Sequence, residues 1–285
     1  MNQAAADAPN AEQVEFWNEV QGDKWVRLQD RTDTALQPMG HAAIDRLNPR
    51  PGERVLDIGC GCGTTSMELA DRVGSGGAVT GADISRPMLA HAKERAGKAG
   101  SAVNFIEADA QTNEFGDASF DAVFSRFGVM FFKSAEAAFA NLRRAVKPDG
   151  RLAFACWHER DNNPWIVTAV KIAAQYIEMP PPPEVGDPGP FSFADESYLR
   201  PILEKAGWTD VAFERYDSTL LVGSDPEDAT KFVMQMGPAA PLVAEADEKS
   251  KAAIFADLHA ALSTQAGPDG VRMGASIWIV TARNA

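Results

Sequence analysis

The sequence predicts an α/β fold: a doubly wound, mostly parallel sheet of seven strands, with a helical cap built from N-terminal helices and insertions. Three observations carry this. From Arg54 to Cys156 strand-like and helix-like segments alternate, as parallel strands joined by crossover helices require. Residues 54–63 read Arg-Val-Leu-Asp-Ile-Gly-Cys-Gly-Cys-Gly, a short apolar run holding one carboxylate and followed by glycine at every second position. The segments outside this core carry large apolar residues at helical spacing.

The elements follow in order. Residues 1–10 are Ala-rich and polar and read as a frayed tail. Val14, Trp17 and Val20 recur at helical spacing, and Gly22 is expected to end that helix. Leu36, Met39, Ala43 and Leu47 mark a second helix, closed by Asn48-Pro49 and Pro51-Gly52. Strands are predicted at 54–58, 78–82, 103–107, 120–125 and 150–156, with helices at 63–73, 85–97 and 134–145. Ser85 is an expected N-cap, with Pro87 in the first turn where its missing N–H costs little. Pro148-Asp149-Gly150 signals a turn before a strand. Residues 157–194 read as a cap insertion, with a helix near 164–178 and a stiff segment at Pro180-Pro181-Pro182-Pro183. Asp195 and Gly207 bracket a helix at 195–206. Strands at 209–216 and 275–282 complete the sheet. Between them lies an insertion of about 218–274, helical at 225–263. The expected division is 1–48 as N-terminal helices or lid, 49–156 as ligand-binding core, 157–194 as cap, and 195–285 as the end of the sheet with its insertion.

The 285 residues suffice for one large domain with insertions, or for two. Lys and Arg number 27 against 40 Asp and Glu, a net charge of −13, which argues against a nucleic-acid partner. Cys60 and Cys62 are too close to bridge, and Cys156 is remote, so a reducing, cytoplasmic setting is expected. No second Cys or His pair lies near Cys60 and Cys62, so no metal is expected. No stretch approaches the roughly 20 apolar residues of a membrane span, and the N-terminus lacks the pattern of a signal peptide.

A strand, a glycine-rich turn and a helix let backbone approach a ligand closely. A carboxylate such as Asp57 inside the strand is costly without partners. Asp83 closes the second strand 20 residues after Gly63, where it can accept from both ribose hydroxyls of an adenosine ligand. Asp109, after the third strand, could accept from an adenine amino group. The fourth strand, Phe120 to Ser125, ends toward the same crevice. A nicotinamide dehydrogenase is the alternative, but its fingerprint needs glycine where Thr64 stands.

With these residues on view, the chain resembles class I S-adenosylmethionine-dependent methyltransferases, of the small-molecule group related to the ubiquinone and menaquinone C-methylases. The matching stretches are Val55 to Gly63, Gly81-Ala82-Asp83-Ile84-Ser85 with Met88, Ala108-Asp109-Ala110, Phe120-Asp121, and Leu142 to Leu152 around Lys147-Pro148-Asp149-Gly150. The resemblance implies S-adenosylmethionine as cofactor and methyl transfer by in-line displacement. It implies that Gly59, Cys60 and Gly61 pack on the methionine part and that Asp57 helps hold its ammonium. Asp83 would hold the ribose, Ile84 and Met88 would sandwich the adenine, and Asp109 and Ala110 would bind its edge. Ser125 and Arg126 would line the floor. Each has a structural alternative: Asp57 as a loop cap, Met88 as ordinary core, Arg126 as a surface ion pair. A non-catalytic protein that keeps the cofactor fold is a further alternative.

The acceptor pocket is expected from the parts outside the core. They carry Trp17, Trp25, Phe191, Phe193, Phe232, Met234 and Met236, while Phe127, Met130, Phe131 and Phe132 follow the fourth strand. An apolar or aromatic small molecule is the expected partner, and a homo-oligomer is compatible with the sequence. Trp25, Phe127, Met130 and His158 are the candidate acceptor residues, and residues 25–31 a candidate lid. Candidate general bases are His41, His158, Asp30 and Glu159. His91 and His259 fall on helix faces. No catalytic residue is assigned.

Overall fold

The computed structural model describes residues 10–181 and 183–285. One sheet contains β1 (Arg54–Ile58), β2 (Ala78–Asp83), β3 (Asn104–Glu107), β4 (Phe120–Arg126), β5 (Val146–Trp157), β6 (Thr209–Gly223), β7 (Ala266–Gly267) and β8 (Gly270–Asn284). Its order is β3-β2-β1-β4-β5-β8-β6, with the two-residue β7 beside β8 as the one addition to the seven strands expected. Strands β1 to β5 pair in parallel, and β8 runs antiparallel to β5 and β6. Residues 152–157 of β5 are buried in succession, so both faces of the sheet are covered there and the strand reads as an apolar run. Strand order reverses between β1 and β4, which opens a crevice at their C-terminal ends.

The helices are α1 (Ala11–Glu15), α2 (Gly22–Arg27), α3 (Gln29–Leu47), α4 (Thr64–Val73), α5 (Arg86–Ala99), α6 (Ala135–Ala145), α7 (Pro164–Ala173), α8 (Glu196–Lys205), α9 (Pro226–Val233), α10 (Ala240–Glu245) and α11 (Glu248–Ser263). In α3, Ala35, Met39, Ala43 and Leu47 are buried at every fourth position and pack on β5, β6 and β8. Asn48 ends that helix at φ 51°, a left-handed cap that asparagine tolerates.

Several expectations need correction. Gly22 starts α2 instead of ending a helix, because the chain first passes through a π turn at Phe16–Val20. A side chain there is excluded: a Cβ would lie 2.4 Å from Pro87 Cγ. Ser85 occupies the N-cap position of α5, but its hydroxyl donates to the Trp17 carbonyl at 2.9 Å and does not cap the helix. Strands β6 and β8 extend past 209–216 and 275–282. Leu220 and Val222 alternate inward and pair opposite residues 271–273, so the helical insertion is shorter than 218–274. The helix expected over 164–178 stops at Ala173. Residues 1–9 of the expected tail, and Pro182 of the proline segment, lie outside the described residues. Asn10 is buried, not frayed. Among the described residues no helix is long and apolar enough to cross a membrane.

Candidate active site

The turn after β1 places three glycines at positive φ, each for its own reason. Gly63 packs on α5 and β3, where a Cβ would fall 2.7 Å from the Phe105 ring. Gly59 packs on Gly128, the glycine after β4. Gly61 meets only Met88 Sδ, at 3.8 Å, so its open side faces the crevice.

Two carboxylates hold this turn. Asp57 is fully buried in β1, and its Oδ2 accepts from the Thr65 hydroxyl at 2.8 Å and the Ser66 hydroxyl at 2.6 Å. Ser66 reaches it because Gly81, beside Asp57 on β2, has no side chain: a Cβ there would lie 2.9 Å from Ser66 Oγ. Oδ1 of Asp57 is buried without a partner among the described residues. Burial pushes this carboxyl up to about 6, although the two hydroxyls and Arg126 pull it down. Asp83 closes β2. Its Oδ2 accepts from the Gly61 N–H and its Oδ1 from the Ser85 N–H, both at 2.8 Å. Burial raises its pKa against those backbone bonds.

A cavity of about 210 Å³ opens over this turn. One end is lined by Asp83, Ile84, Met88, Asp109 and Ala110, with Gly59, Cys60 and Gly61 beside them. The other end is aromatic. Phe127 stacks on Trp157 with ring centroids 4.4 Å apart, and Trp165 lies 5.0 Å beyond Trp157. Trp17 meets Phe131 edge-on at 5.0 Å and Trp25 at 5.9 Å. Phe127 has φ 62°, a strained conformation for a bulky residue, kept at the end of β4 where it forms the cavity wall.

The N-terminal helices form the roof and are tied to the site. Asn18 donates to the Ile84 carbonyl at 2.9 Å and accepts from the Arg86 N–H at 2.9 Å. Asp33, on α3, receives Arg126 of β4 at 2.9 Å and the hydroxyl of Thr64, the first residue of α4. Arg95 of α5 lies 3.6 Å from the same carboxylate. Burial alone would raise Asp33, but Arg126, Thr64 and Gln29 outweigh it and hold the carboxyl below its ordinary value.

Most expected site residues meet in this cavity: Gly59, Cys60, Gly61, Asp83, Ile84, Met88, Asp109, Ala110, Arg126, Trp25, Phe127 and Met130. Asp57 lies enclosed beneath it, and Ser125 is fully buried with its hydroxyl accepting from the Gly128 N–H at 3.2 Å. His158 does not line the cavity. Trp157 faces inward, so the next residue along the strand faces the other way, against Trp278. His41 pairs with Glu68 on the surface, and Asp30 and Glu159 are exposed, so none of the four candidate bases lines the cavity. Phe191, Phe193 and Met234 pack elsewhere, whereas Phe232 and Met236 line it. Sequence reasoning missed Asp33, Gln29, Thr32 and Gly128. For Gln29 and Thr32 the signal is a polar residue on the buried stripe of α3 that carries Leu36; Asp33 and Gly128 show none.

Residues 55–150 match the family model described as a methyltransferase domain. Over 118 residues the chain is 39% identical to the aklanonic acid methyltransferase of Streptomyces sp. (strain C5), covering 41% of this chain and 54% of that protein. Over 165 residues it is 33% identical to the demethylmenaquinone methyltransferase of Thermus thermophilus, covering 58% of this chain and 63% of that protein. The chain thus spans between about half and 63% of the length of these relatives. A solved structure, Haemonchus contortus phosphoethanolamine N-methyltransferase 2 in complex with phosphomonomethylethanolamine and S-adenosylhomocysteine, superposes with TM-score 0.53. At 22% identity over 86% of this chain and 52% of that one, this is a likeness of fold. Residues 55–150 thus match a methyltransferase domain, and the sheet shares its fold with solved methyltransferase structures.

Proposed function

We propose that the chain transfers a methyl group from S-adenosylmethionine to a small apolar or aromatic molecule by in-line displacement. One observation carries this: a single cavity joins Asp83, Ile84, Met88 and Asp109 to an aromatic chamber. Each Asp83 oxygen spends one lone pair on a backbone N–H, leaving acceptor capacity for two ribose hydroxyls. Ile84 and Met88 offer apolar faces to a purine, and Asp109 an acceptor for its amino group. Gly59, Cys60 and Gly61 would hold the methionine part. The unpartnered Oδ1 of Asp57, buried just below, fits a site built for a cationic ligand.

When bound, the cofactor supplies a methyl group activated on a cationic sulfur. The chain's own residues position the acceptor and exclude water. Phe127, Trp157 and Trp165 give it an aromatic wall, and Trp17 and Trp25 close the roof. The relatives named for aklanonic acid and demethylmenaquinone support a small-molecule acceptor. We assign no catalytic base.

The test is incubation with methyl-labelled S-adenosylmethionine and a panel of aromatic acids, phenols and amines, followed by release of S-adenosylhomocysteine. Acceptor-dependent release is expected. A cofactor that binds but keeps its label with every acceptor would favour a non-catalytic binding protein.

A further inference from the structure

We propose that the Asp33 carboxylate is the counter-charge that lets the cavity take a sulfonium cation beside the Arg126 guanidinium, and so sets its preference for S-adenosylmethionine over the uncharged thioether product. The inference rests on the proposed donor.

Arg126 and Asp33 both line the cavity, each with 15% of its side chain exposed. Arg126, with little of its side chain in water, would by itself repel a cationic sulfur bound in this cavity. Asp33 opposes that charge directly, through Oδ1 at 2.9 Å from Arg126 Nη2. It also faces the second cation, Arg95, whose guanidinium donates to the Cys62 carbonyl at 2.6 Å and to Thr64 Oγ1 at 2.8 Å. The fold brings the partners together deliberately: Gly40 leaves α3 bare where Arg126 crosses it, and a Cβ there would sit 3.1 Å from Arg126 Cδ. Among the described residues, three lining carboxylates, Asp33, Asp83 and Asp109, thus face one lining cation. Asp33 is the one joined to that cation.

The two ligands share every group except the sulfur charge and its methyl, so their affinity ratio reads the electrostatics. Loss of a purely structural tie would weaken both alike. Asp33→Asn keeps the side-chain shape and removes the charge. Calorimetric titration of purified full-length protein with each ligand at low ionic strength should show S-adenosylmethionine losing about tenfold more affinity than S-adenosylhomocysteine. Asp33→Glu should preserve the wild-type ratio even if both affinities fall. Arg126→Gln should shift the ratio the other way, toward the sulfonium, and this arm holds even if Asp33→Asn fails to fold. Equal losses in Asp33→Asn, or an unchanged ratio in Arg126→Gln, would overturn the role of Asp33. Wild-type protein that binds neither ligand would overturn the donor reading, and this inference with it.

Discussion

Gly59 and Gly128 pack backbone against backbone: a Cβ on Gly59 would lie 2.6 Å from Gly128 Cα, and one on Gly128 would lie 2.7 Å from Gly59 Cα. They stand just past the ends of β1 and β4, the two strands at the reversal of sheet order. Their contact joins the glycine-rich turn after β1 to the loop that carries Phe127. Gly128 has an ordinary φ of −84°, so Gly128→Ala tests this packing without backbone strain, its Cβ also meeting the Ile58 carbonyl at 2.8 Å. Overpacking of this kind costs roughly 1–3 kcal/mol. Thermal unfolding should show a drop of several degrees, with a larger drop for Gly59→Ala, which adds strain at φ 64°. An unchanged melting temperature in both variants would mean the two loops separate freely.

Asp83→Ala should weaken S-adenosylhomocysteine roughly 10- to 100-fold, the worth of lost hydrogen bonds to a charged group. It also releases the Gly61 and Ser85 N–H groups that shape the turn. Calorimetry is the measurement, and an unchanged affinity contradicts the ribose assignment.

Asp57 is buried in β1 at a cost to stability, because burial disfavours its charged form. Its folded pKa of about 6 exceeds the ordinary carboxyl value of 3.8, so it favours the folded state when protonated. That contribution is full below about pH 4 and is lost as pH rises through about 6, a swing on the order of 3 kcal/mol. Asp57→Asn should therefore gain stability relative to wild type between pH 4 and 7 while binding ligand less well. Denaturant titrations of both proteins across that range provide the comparison. Parallel pH profiles would show that Asp57 is not charged and buried as described.

Cys60 and Cys62 line the cavity yet should be inert. Burial pushes Cys62 up to about 12 with help from Asp33, and pushes Cys60 well above its ordinary value. The thiolate is the reactive form. Native protein should resist alkylation by iodoacetamide at pH 7.5 for as long as it stays folded, and all three cysteines should react in denaturant. Rapid labelling of Cys62 in the native state would contradict this account.

Trp25 is half-buried at the cavity roof, so Trp25→Ala should lower turnover more than melting temperature. A large fall in melting temperature with an unchanged rate would make it a packing residue.

The parts legible in the sequence are local ones. The apolar run of β1, its glycines and Asp83 lie within one strand–helix–strand unit, and short-range spacing suffices to read them. Asp33 and Arg126 are 93 residues apart, and neither residue's neighbours announce the pair. The sequence allows Arg126 a surface ion pair; the pair it forms, with Asp33, lies inside the cavity. Gly128 lies 69 residues from Gly59, so nothing local in the sequence shows their contact. The extra length of β6 and β8 was hidden because each strand stabilises the other through cross-strand pairs that no single segment displays. His158 was misplaced by adjacency alone: one step along a strand reverses the face.

The most direct test of the central claim is a crystal structure with S-adenosylhomocysteine. The account predicts the ribose hydroxyls on Asp83, the adenine between Ile84 and Met88, and the sulfur opening toward the chamber of Phe127 and Trp157. Ligand density away from Asp83, or a sulfur facing solid protein with no space for an acceptor, would contradict it.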